Sequence, residues 1–308
     1  MTRRVLVIAR SFEGSDGYQR LRDAGLEVVL PADGPGLSQQ ALAGAIGGVD
    51  GAIIGTQPFG AELFGSARNL RALVKAGAGL DNVDAAAAKS AGVSIAAVPG
   101  ANAGAVAEYA IALMLALGRR ICEVDRAVRR GEWPRVTGSD LAGATVGVIG
   151  LGNVGRRVCQ LLRGFDVKLV GFDVEVDPRF TSALRLDVLS LDEIVSRSDV
   201  VTLHAPLVEE TRHLIDARRL ELMKQTSLIV NTARGELIDT AALYEALVDG
   251  KVGGAGLDVF EEEPFRDERF LALPNVIVSS HNASFSANAI AATVTRAANT
   301  MIELLGPG

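Results

Sequence analysis

The chain has 308 residues, of which 48% are hydrophobic and 5% aromatic, and its formal net charge at pH 7 is −6. This length accommodates two domains with separate cores. The acidic charge argues against a general nucleic-acid-binding surface, and the two cysteines are too few for a disulfide framework or a structural zinc site. We therefore expect a globular protein of the reducing cytoplasm that binds a small molecule, no nucleic acid and no metal.

The first part of the chain alternates short apolar runs with polar or alanine-rich segments. The apolar runs predict strands at residues 5–8, 27–30, 52–54, 72–75 and 94–97, which together make a βα repeat. The first run follows a basic start but is too short for a signal peptide. Asp84 is placed to cap a helix that begins at residue 85 and ends at Gly92.

A long apolar segment lies at about residues 105–119, after a break at residues 99–104. It is apolar on nearly every face and predicts a buried helix, between domains or between subunits. It contains Glu108 and is too short to cross a bilayer, so we expect no membrane partner. The charged stretch at residues 126–135 contains the only tryptophan, Trp133, and is interpreted as a solvated loop with one anchoring aromatic side chain.

A second βα series follows in the remainder of the chain. Its strands are predicted near residues 145–149, 167–172, 200–203, 227–230, 254–258 and 276–279. Residues 287–305 predict one amphipathic helix that could return to the first domain. The predicted fold class is α/β, with two doubly wound parallel-sheet domains of Rossmann-like or flavodoxin-like type and an active-site cleft between them.

Segment 145–155 reads as a buried strand that turns directly into a helix through a GxGxxG loop. Gly150 allows the tight turn, Gly152 lets backbone amides approach a pyrophosphate, and Gly155 lets the helix pack close to the strand. Asp173 ends the next apolar run, where a carboxylate accepts hydrogen bonds from ribose hydroxyls and repels a 2′-phosphate. This pattern favours NAD over NADP. The alternative is a glycine-rich turn with a surface aspartate.

Four polar residues follow predicted strands of this second series: Arg234, Asp258, Glu263 and His281. Because the carboxyl ends of parallel strands lie at one edge of a sheet, we expect these four residues to lie near the pyrophosphate. An arginine, a carboxylate and a histidine supply a carboxylate clamp, a group that orients the proton donor, and the donor itself. Those are the groups that hydride transfer to a 2-oxo acid needs.

The three histidines of the chain limit the choice of acid/base. His281 is the candidate. His204 also follows a strand, but a structural or cofactor-lining role is favoured for it. His213 lies in a polar run that is typical of the surface.

The segments that carry these residues resemble the NAD-dependent D-2-hydroxyacid dehydrogenases, most closely their phosphoglycerate dehydrogenase branch. The matching segments are residues 75–84 (KAGAGLDNVD), 106–108 (VAE), 150–155 (GLGNVG), 203–207 (LHAPL), 231–235 (NTARG), 257–264 (LDVFEEEP) and 280–283 (SHNA). The resemblance covers nearly the whole chain. It implies a discontinuous substrate domain at residues 1–99 and 285–308, an NAD-binding Rossmann domain at residues 100–284, and a homodimer.

The resemblance also implies a role for each matching residue. Arg234 would contact the substrate carboxylate and carbonyl, Glu263 would be the partner of the histidine, and His281 would be the acid/base. Asp258 would hold the nicotinamide carboxamide, and Asn102 would lie near the nicotinamide. The implied substrate-binding residues are Lys75, Ala76, Gly77, Ala78, Gly79, Asn102 and Arg234. Of these, residues 76–79 would receive the substrate carboxylate with their backbone. The implied cofactor-binding residues are Gly150, Gly152, Asn153, Val154, Gly155, Asp173, His204, Pro206, Thr232, Ala233, Asp258 and His281.

Two departures from the phosphoglycerate pattern bear on the substrate. Residues 54–58 (IGTQP) lack the arginine that those enzymes carry after the third strand, and Lys75 occupies the position of another arginine. We therefore do not assign 3-phosphoglycerate; glyoxylate, hydroxypyruvate and larger 2-oxo acids stay open, and so does a substrate contact from Lys75 or from a partner-subunit residue near Arg135. Glu263 separates the chain from the similar formate dehydrogenases, which have glutamine before the matching proline.

The predicted function is reversible hydride transfer between NAD(H) and a small D-2-hydroxy acid or 2-oxo acid. A non-enzymatic NAD(H)-sensing protein, like the corepressors of the same fold, is the alternative, since such proteins can keep the same catalytic residues. NADH consumption with a panel of 2-oxo acids separates the two.

Overall fold

The computed structural model describes residues 2–9, 12–31 and 37–306. The chain forms two compact units, the first made of Met1–Ala103 with Phe285–Gly308 and the second of Gly104–Ser284. Across the part of the chain that is described, no helix combines the length and the apolar character needed to cross a membrane.

The first unit contains a five-stranded sheet, counted over the described residues, in which every neighbouring pair of strands is parallel. Its strands are β1 (Arg4–Val7), β2 (Glu27–Val29), β3 (Gly51–Ile54), β4 (Ala72–Lys75) and β5 (Ser94–Ala97), in the spatial order β2-β1-β3-β4-β5. Its first helices are α1 (Asp16–Asp23), α2 (Gln39–Ile46), α3 (Ala61–Ser66) and α4 (Ala85–Ser90). Asp84 caps α4 as predicted, because its side chain accepts a hydrogen bond of 2.9 Å from the backbone N–H of Ala87.

The second unit contains a seven-stranded parallel sheet, again counted over the described residues. Its strands are β6 (Thr145–Ile149), β7 (Lys168–Phe172), β8 (Asp187–Val188), β9 (Val200–Leu203), β10 (Leu228–Asn231), β11 (Gly254–Leu257) and β12 (Val276–Val278), in the order β12-β11-β10-β9-β6-β7-β8. The accompanying helices are α5 (Ala103–Gly118), α6 (Ile121–Arg129), α7 (Asn153–Leu162), α8 (Pro178–Leu184), α9 (Leu191–Arg197), α10 (Ala217–Leu222), α11 (Thr240–Val248) and α12 (Glu268–Leu271).

Both faces of the second sheet are buried, as the continuous apolar runs predicted. Val201 and Ile229 belong to one hydrophobic cluster, whereas their neighbours Val200 and Val230 belong to a second cluster on the other face. Helix α5 is part of that second cluster. Since a Cβ at Gly256 would lie 2.9 Å from Leu117, α5 packs directly on β11 of its own sheet. The two parallel α/β sheets confirm the predicted fold class.

Two elements differ from the sequence-based prediction. Strand β8 was not predicted, because it has two residues and begins with the exposed Asp187. Residues 121–129 form helix α6, which includes part of the stretch interpreted as a loop. Its charges are spaced to stabilise a helix, since Arg129 pairs with Asp125 one turn earlier at 2.8 Å.

The last helix, α13 (Ala287–Leu305), packs on the first sheet. Val294 and Met301 of this helix are buried with Val5 of β1. The approach is close: a Cβ at Gly17 of α1 would lie 2.6 Å from the carbonyl oxygen of Val294. Residues from both ends of the chain therefore share one hydrophobic core in the first unit.

Candidate active site

The carboxyl edge of the second sheet contains the point at which the strand order reverses. Strands β6 and β9 are neighbours there, whereas β7 follows β6 on its other side. Such an edge is where open α/β sheets bind ligands. Gly150 follows β6 with φ at 94°, and a Cβ on it would lie 2.5 Å from the backbone nitrogen of Ala205. The glycine loop therefore packs directly on the segment that follows β9.

The remaining glycines of the loop leave the start of α7 open. A side chain at Gly155 would overlap the carbonyl oxygen of Gly150, so the helix contacts the loop backbone. Around Gly152 a Cβ would meet no atom within 4 Å, and no side chain caps the helix. The first N–H groups of a helix have no partner inside it, so those of Asn153 and Val154 are available to an anion.

Asp173 directly follows β7 and is bonded to the glycine loop. Its Oδ2 accepts a hydrogen bond of 2.6 Å from the N–H of Leu151, and its Oδ1 accepts one of 3.2 Å from the N–H of Glu175. The two loops at this edge are thus joined through one carboxylate. Each oxygen of a carboxylate has two lone pairs, so Asp173 retains acceptor capacity.

Two buried polar atoms at the same edge have no hydrogen-bond partner within the described part of the chain: Nδ1 of His204 and Oγ1 of Thr232. The other ring nitrogen of His204 lies 2.9 Å from Oγ1 of Thr202. Burial lowers the pKa of His204 to about 3, so the ring is neutral near neutral pH. A buried polar atom without a partner is costly, which indicates that a ligand completes these bonds. Pro206, which follows on the same segment, is exposed.

His281 and Glu263 form a hydrogen-bonded pair, with Nδ1 of His281 lying 3.0 Å from Oε2 of Glu263. The other oxygen of Glu263 accepts a bond of 3.1 Å from the N–H of Phe260. Partial burial acts to raise the pKa of Glu263, but the bond to His281 and the nearby charges of His281 and Arg234 outweigh it, and the pKa is lowered. Glu263 is therefore ionised beside the histidine.

Asp258 holds the backbone around His281. The residue is fully buried. Its Oδ1 accepts bonds from the Ser279 hydroxyl at 2.6 Å and from the Asn282 N–H at 2.7 Å, and its Oδ2 accepts one of 2.9 Å from the Ala283 N–H. Its carbonyl oxygen accepts a bond from the N–H of His281. These bonds hold His281 in the left-handed conformation, with φ at 56°.

Arg234 lies on a short loop after β10. Its Nη1 donates to the carbonyl oxygen of Ala233 at 2.7 Å, and its charge contributes to the lowered pKa of Glu263. The next residue, Gly235, has no room for a Cβ, which would overlap the backbone of Phe260 and Glu261. The structure thus brings together Arg234, Glu263 and His281, which are distant in sequence.

The predicted substrate-binding residues Lys75, Asn102 and 76–79 belong to the first unit. Lys75 is buried, and its Nζ donates to the carbonyl oxygen of Gly55. The N–H groups of Ala76 and Gly77 are bonded within the fold, whereas those of Ala78 and Gly79 have no acceptor among the described residues. Two adjacent free amides of this kind suit a carboxylate.

The comparisons with known proteins agree on one family. Residues 111–283 match the family model "D-isomer specific 2-hydroxyacid dehydrogenase, NAD binding domain". A glyoxylate reductase of Korarchaeum cryptofilum is 39% identical over 75% of this chain and 72% of its own length. A hydroxypyruvate reductase of Thermotoga maritima is 40% identical over 74% of this chain and 76% of its own. The chain belongs to the D-isomer specific 2-hydroxyacid dehydrogenases.

The same family is found among solved structures. The crystal structure of a glyoxylate reductase from Paecilomyes thermophila superimposes with a TM-score of 0.88 at 28% identity, over 99% of this dehydrogenase and 96% of that chain. The protein is accordingly an NAD-dependent oxidoreductase. Its residues fit a dinucleotide, because the open approach at Gly152, the free amides of α7 and the unpartnered atoms of His204 and Thr232 lie at one sheet edge.

Sequence analysis did not select three residues that shape this dehydrogenase site: Asn231, Gly235 and Ser279. Each acts on a segment that carries a predicted catalytic residue. A polar residue at the end of the apolar run 228–231 was the available signal for Asn231. No comparable signal existed for Ser279, whose partner Asp258 is far away in sequence.

Proposed function

We propose that this dehydrogenase reversibly reduces a small 2-oxo acid to the D-2-hydroxy acid, with His281 as the proton donor. The observation that supports this most is the His281–Glu263 pair. Because Nδ1 of His281 is held by Glu263, its Nε2 is left to face a substrate oxygen. A histidine oriented through one nitrogen and acting through the other is a common acid/base arrangement.

The proposed reaction divides between the protein and the cofactor. A nicotinamide cofactor, when bound, would supply the hydride that adds to the carbonyl carbon. Protonated His281 donates a proton from Nε2 to the oxygen at that carbon, and in the reverse direction it takes the proton back. Glu263 holds the ring through Nδ1 and so orients Nε2. Arg234 stabilises charge on the carbonyl oxygen and clamps the carboxylate, since a guanidinium keeps its proton.

The remaining contacts follow from the free donors and acceptors described above. We assign the amides of the glycine loop and of α7 to the pyrophosphate, Asp173 to the adenosine ribose, and Asp258 with its remaining acceptor capacity to the nicotinamide carboxamide. Residues 76–79 receive the substrate carboxylate, and Asn102 lies near the nicotinamide. In this proposal residues 100–284 form the cofactor domain, and residues 1–99 with 285–308 form the substrate domain.

A small substrate without a phosphate is favoured by the loop after β3. The Gly55 carbonyl in this loop accepts bonds from Lys75 and from Asn82. Lys75 is the buried cation near this loop, and its ammonium group is therefore bonded to the protein. The relatives named glyoxylate reductase and hydroxypyruvate reductase support the same class. We propose glyoxylate and hydroxypyruvate as the first substrates to test.

We further propose that the protein is a homodimer of the cytoplasm. Helix α6 exposes Ile121 and Val128, which are 54% and 41% exposed and lie on one face of the helix, and Trp133 just beyond it is 85% exposed. These apolar side chains are the surface that we assign to the partner. Both cysteines are unpaired, which suits a reducing compartment.

The test is NADH oxidation with a panel of 2-oxo acids, repeated with NADPH. We expect turnover with NADH and a small oxo acid, and much weaker turnover with NADPH. His281→Gln should lower kcat by at least about a hundredfold, as loss of acid/base catalysis does. His213→Gln is the matched control, since His213 is paired with Glu261 at 2.7 Å on the same segment. Tight NADH binding without turnover of any oxo acid would instead support the sensor alternative, which the comparisons do not favour.

A further inference from the structure

Asn231 is the last residue of β10, and it is the polar residue of a strand whose other residues are apolar. It is 1% exposed, and the preceding Ile229 and Val230 are fully buried. Burying a primary amide is unfavourable unless its donor and acceptor are both used. The partners of this amide therefore indicate what the residue does.

Both groups of the amide bond to the loop that carries Arg234. Nδ2 of Asn231 donates to the carbonyl oxygen of Arg234 at 2.7 Å, and Oδ1 accepts from the N–H of Ala233 at 3.0 Å. One side chain therefore bonds to the peptide group before Ala233 and to the peptide group after Arg234, and so holds the two-residue segment that contains Arg234. This sets the direction in which the guanidinium leaves the backbone.

The backbone of Asn231 joins the same loop to the histidine segment. Its carbonyl oxygen accepts a bond of 2.9 Å from the N–H of Asp258, and the carbonyl oxygen of Asp258 accepts one of 2.8 Å from the N–H of His281. A continuous path of hydrogen bonds thus runs from Arg234 through Asn231 and Asp258 to His281. The loop has a second close contact, because Gly235 packs against the backbone of residues 260–261 with no room for a Cβ.

We propose that Asn231 is a positioning residue for Arg234, one that sets the guanidinium relative to the Glu263–His281 pair. The inference rests on the proposed function. Substrate and protonated His281 must meet in one geometry, and a displacement of about 1 Å in such an arrangement can cost about a hundredfold in rate. Asn231 itself touches neither the substrate nor the cofactor in this proposal.

The test uses Asn231→Asp, which keeps the shape and the Oδ1 acceptor but replaces the donor to Arg234, together with Asn231→Ala. We expect kcat/KM for the best 2-oxo acid to fall by about a hundredfold, with a raised KM and a nearly unchanged dissociation constant for NADH. The matched control is Asn275→Asp. The side chain of Asn275 also donates to a backbone carbonyl oxygen, that of Gly253, at 3.3 Å. Asn275 lies just before β12, at the amino edge of the sheet, away from the site.

The Asn231→Asp variant adds a readout in pH. When its carboxyl is protonated, an O–H can again donate to the Arg234 carbonyl, whereas the ionised form repels that oxygen. Burial raises the pKa of a carboxyl, so activity relative to the parent at each pH should recover as the pH falls. The Asn231→Ala variant has no such group and should show no recovery.

Binding of oxamate, an unreactive analogue of a 2-oxo acid, to the NADH complex gives a measurement that does not depend on turnover. Both Asn231 variants should bind oxamate more weakly than the parent under urea-free conditions in which they are fully folded, although the lost buried hydrogen bonds lower their unfolding midpoint in urea. Variants that keep the parent KM, kcat and oxamate affinity overturn the positioning role while leaving the proposed function intact. Losses that merely follow the unfolded fraction, or that fall equally on NADH binding, overturn it as well. A parent protein that neither reduces oxo acids nor binds oxamate overturns both.

Discussion

At the scale of single residues, the buried ring of His204 makes a prediction that a change of pH can test. The folded-state pKa of His204, about 3, lies below the ordinary value of 6.5 because the ring is buried. Between these two values the unfolded chain binds the extra proton and the folded chain does not. The native state therefore loses stability as the pH falls through 6.5 and stops losing it only near the folded pKa.

His204→Asn removes this dependence. Between about pH 7.5 and about pH 5.5 we expect the parent to lose about 1 kcal/mol more unfolding free energy than the variant. Urea unfolding of the cofactor-free protein at both pH values measures the difference. His213→Asn is the control, because His213 is exposed. An equal acid sensitivity in parent and His204→Asn would show that the ring is not held neutral.

The chemistry-bearing residues could be selected from the sequence because each lies within a few residues of the end of an apolar run, and parallel strands place such residues at one edge. Asn231 and Ser279 could not, because their importance depends on a partner that the pattern does not identify. Asn231 bonds to a loop whose direction is set by the fold, and Ser279 bonds to Asp258. Hydrogen-bond partners of this kind become visible only once the backbone path is known.

At the scale of elements, the short turn Gly235–Leu237 and segment 259–263 are in backbone contact. Gly235→Ala would place a methyl group inside the backbone of Phe260 and Glu261, and would separate Arg234 from Glu263. We expect kcat/KM to fall by about a hundredfold or more. Steady-state kinetics checks this, with Gly164→Ala as the control, since a Cβ there meets no atom within 4 Å. A Gly235→Ala enzyme with parent kinetics would show that the two segments move independently.

The strands were predictable to within about two residues at their ends, the usual uncertainty of element boundaries, because a strand buried on both faces is a continuous apolar run. Strand β8 and helix α6 lack that signal. β8 is held by pairing with β7 at Val170 and Gly171 rather than by its own composition. Helix α6 is stabilised by pairs such as Arg129–Asp125, whose spacing in a charged stretch is equally compatible with a solvated loop.

At the scale of the whole molecule, the proposed dimer makes a sharp prediction for the surface of α6 and Trp133. Ile121→Glu combined with Val128→Glu should convert the dimer to a monomer, because each charge would have to be buried without a partner. Sedimentation velocity measures the change. Val248→Glu on α11 is the control, since Val248 is 52% exposed on another helix. A parent protein that sediments as a monomer, or a double variant that stays dimeric, contradicts the assignment of this surface.

The position of α13 in the first unit has a consequence for how the protein forms on the ribosome. Val294, Ala297, Ala298, Met301 and Leu305 complete a core whose other members come from the first strands and helices. Domains generally fold in the order of their synthesis, yet the first unit cannot close its core until residues beyond 285 have emerged. The second unit, by contrast, has all of its strands once residue 278 has been made. We therefore expect the first unit, although it is made first, to complete its core last, so that part of its apolar surface stays exposed while the rest of the chain is translated.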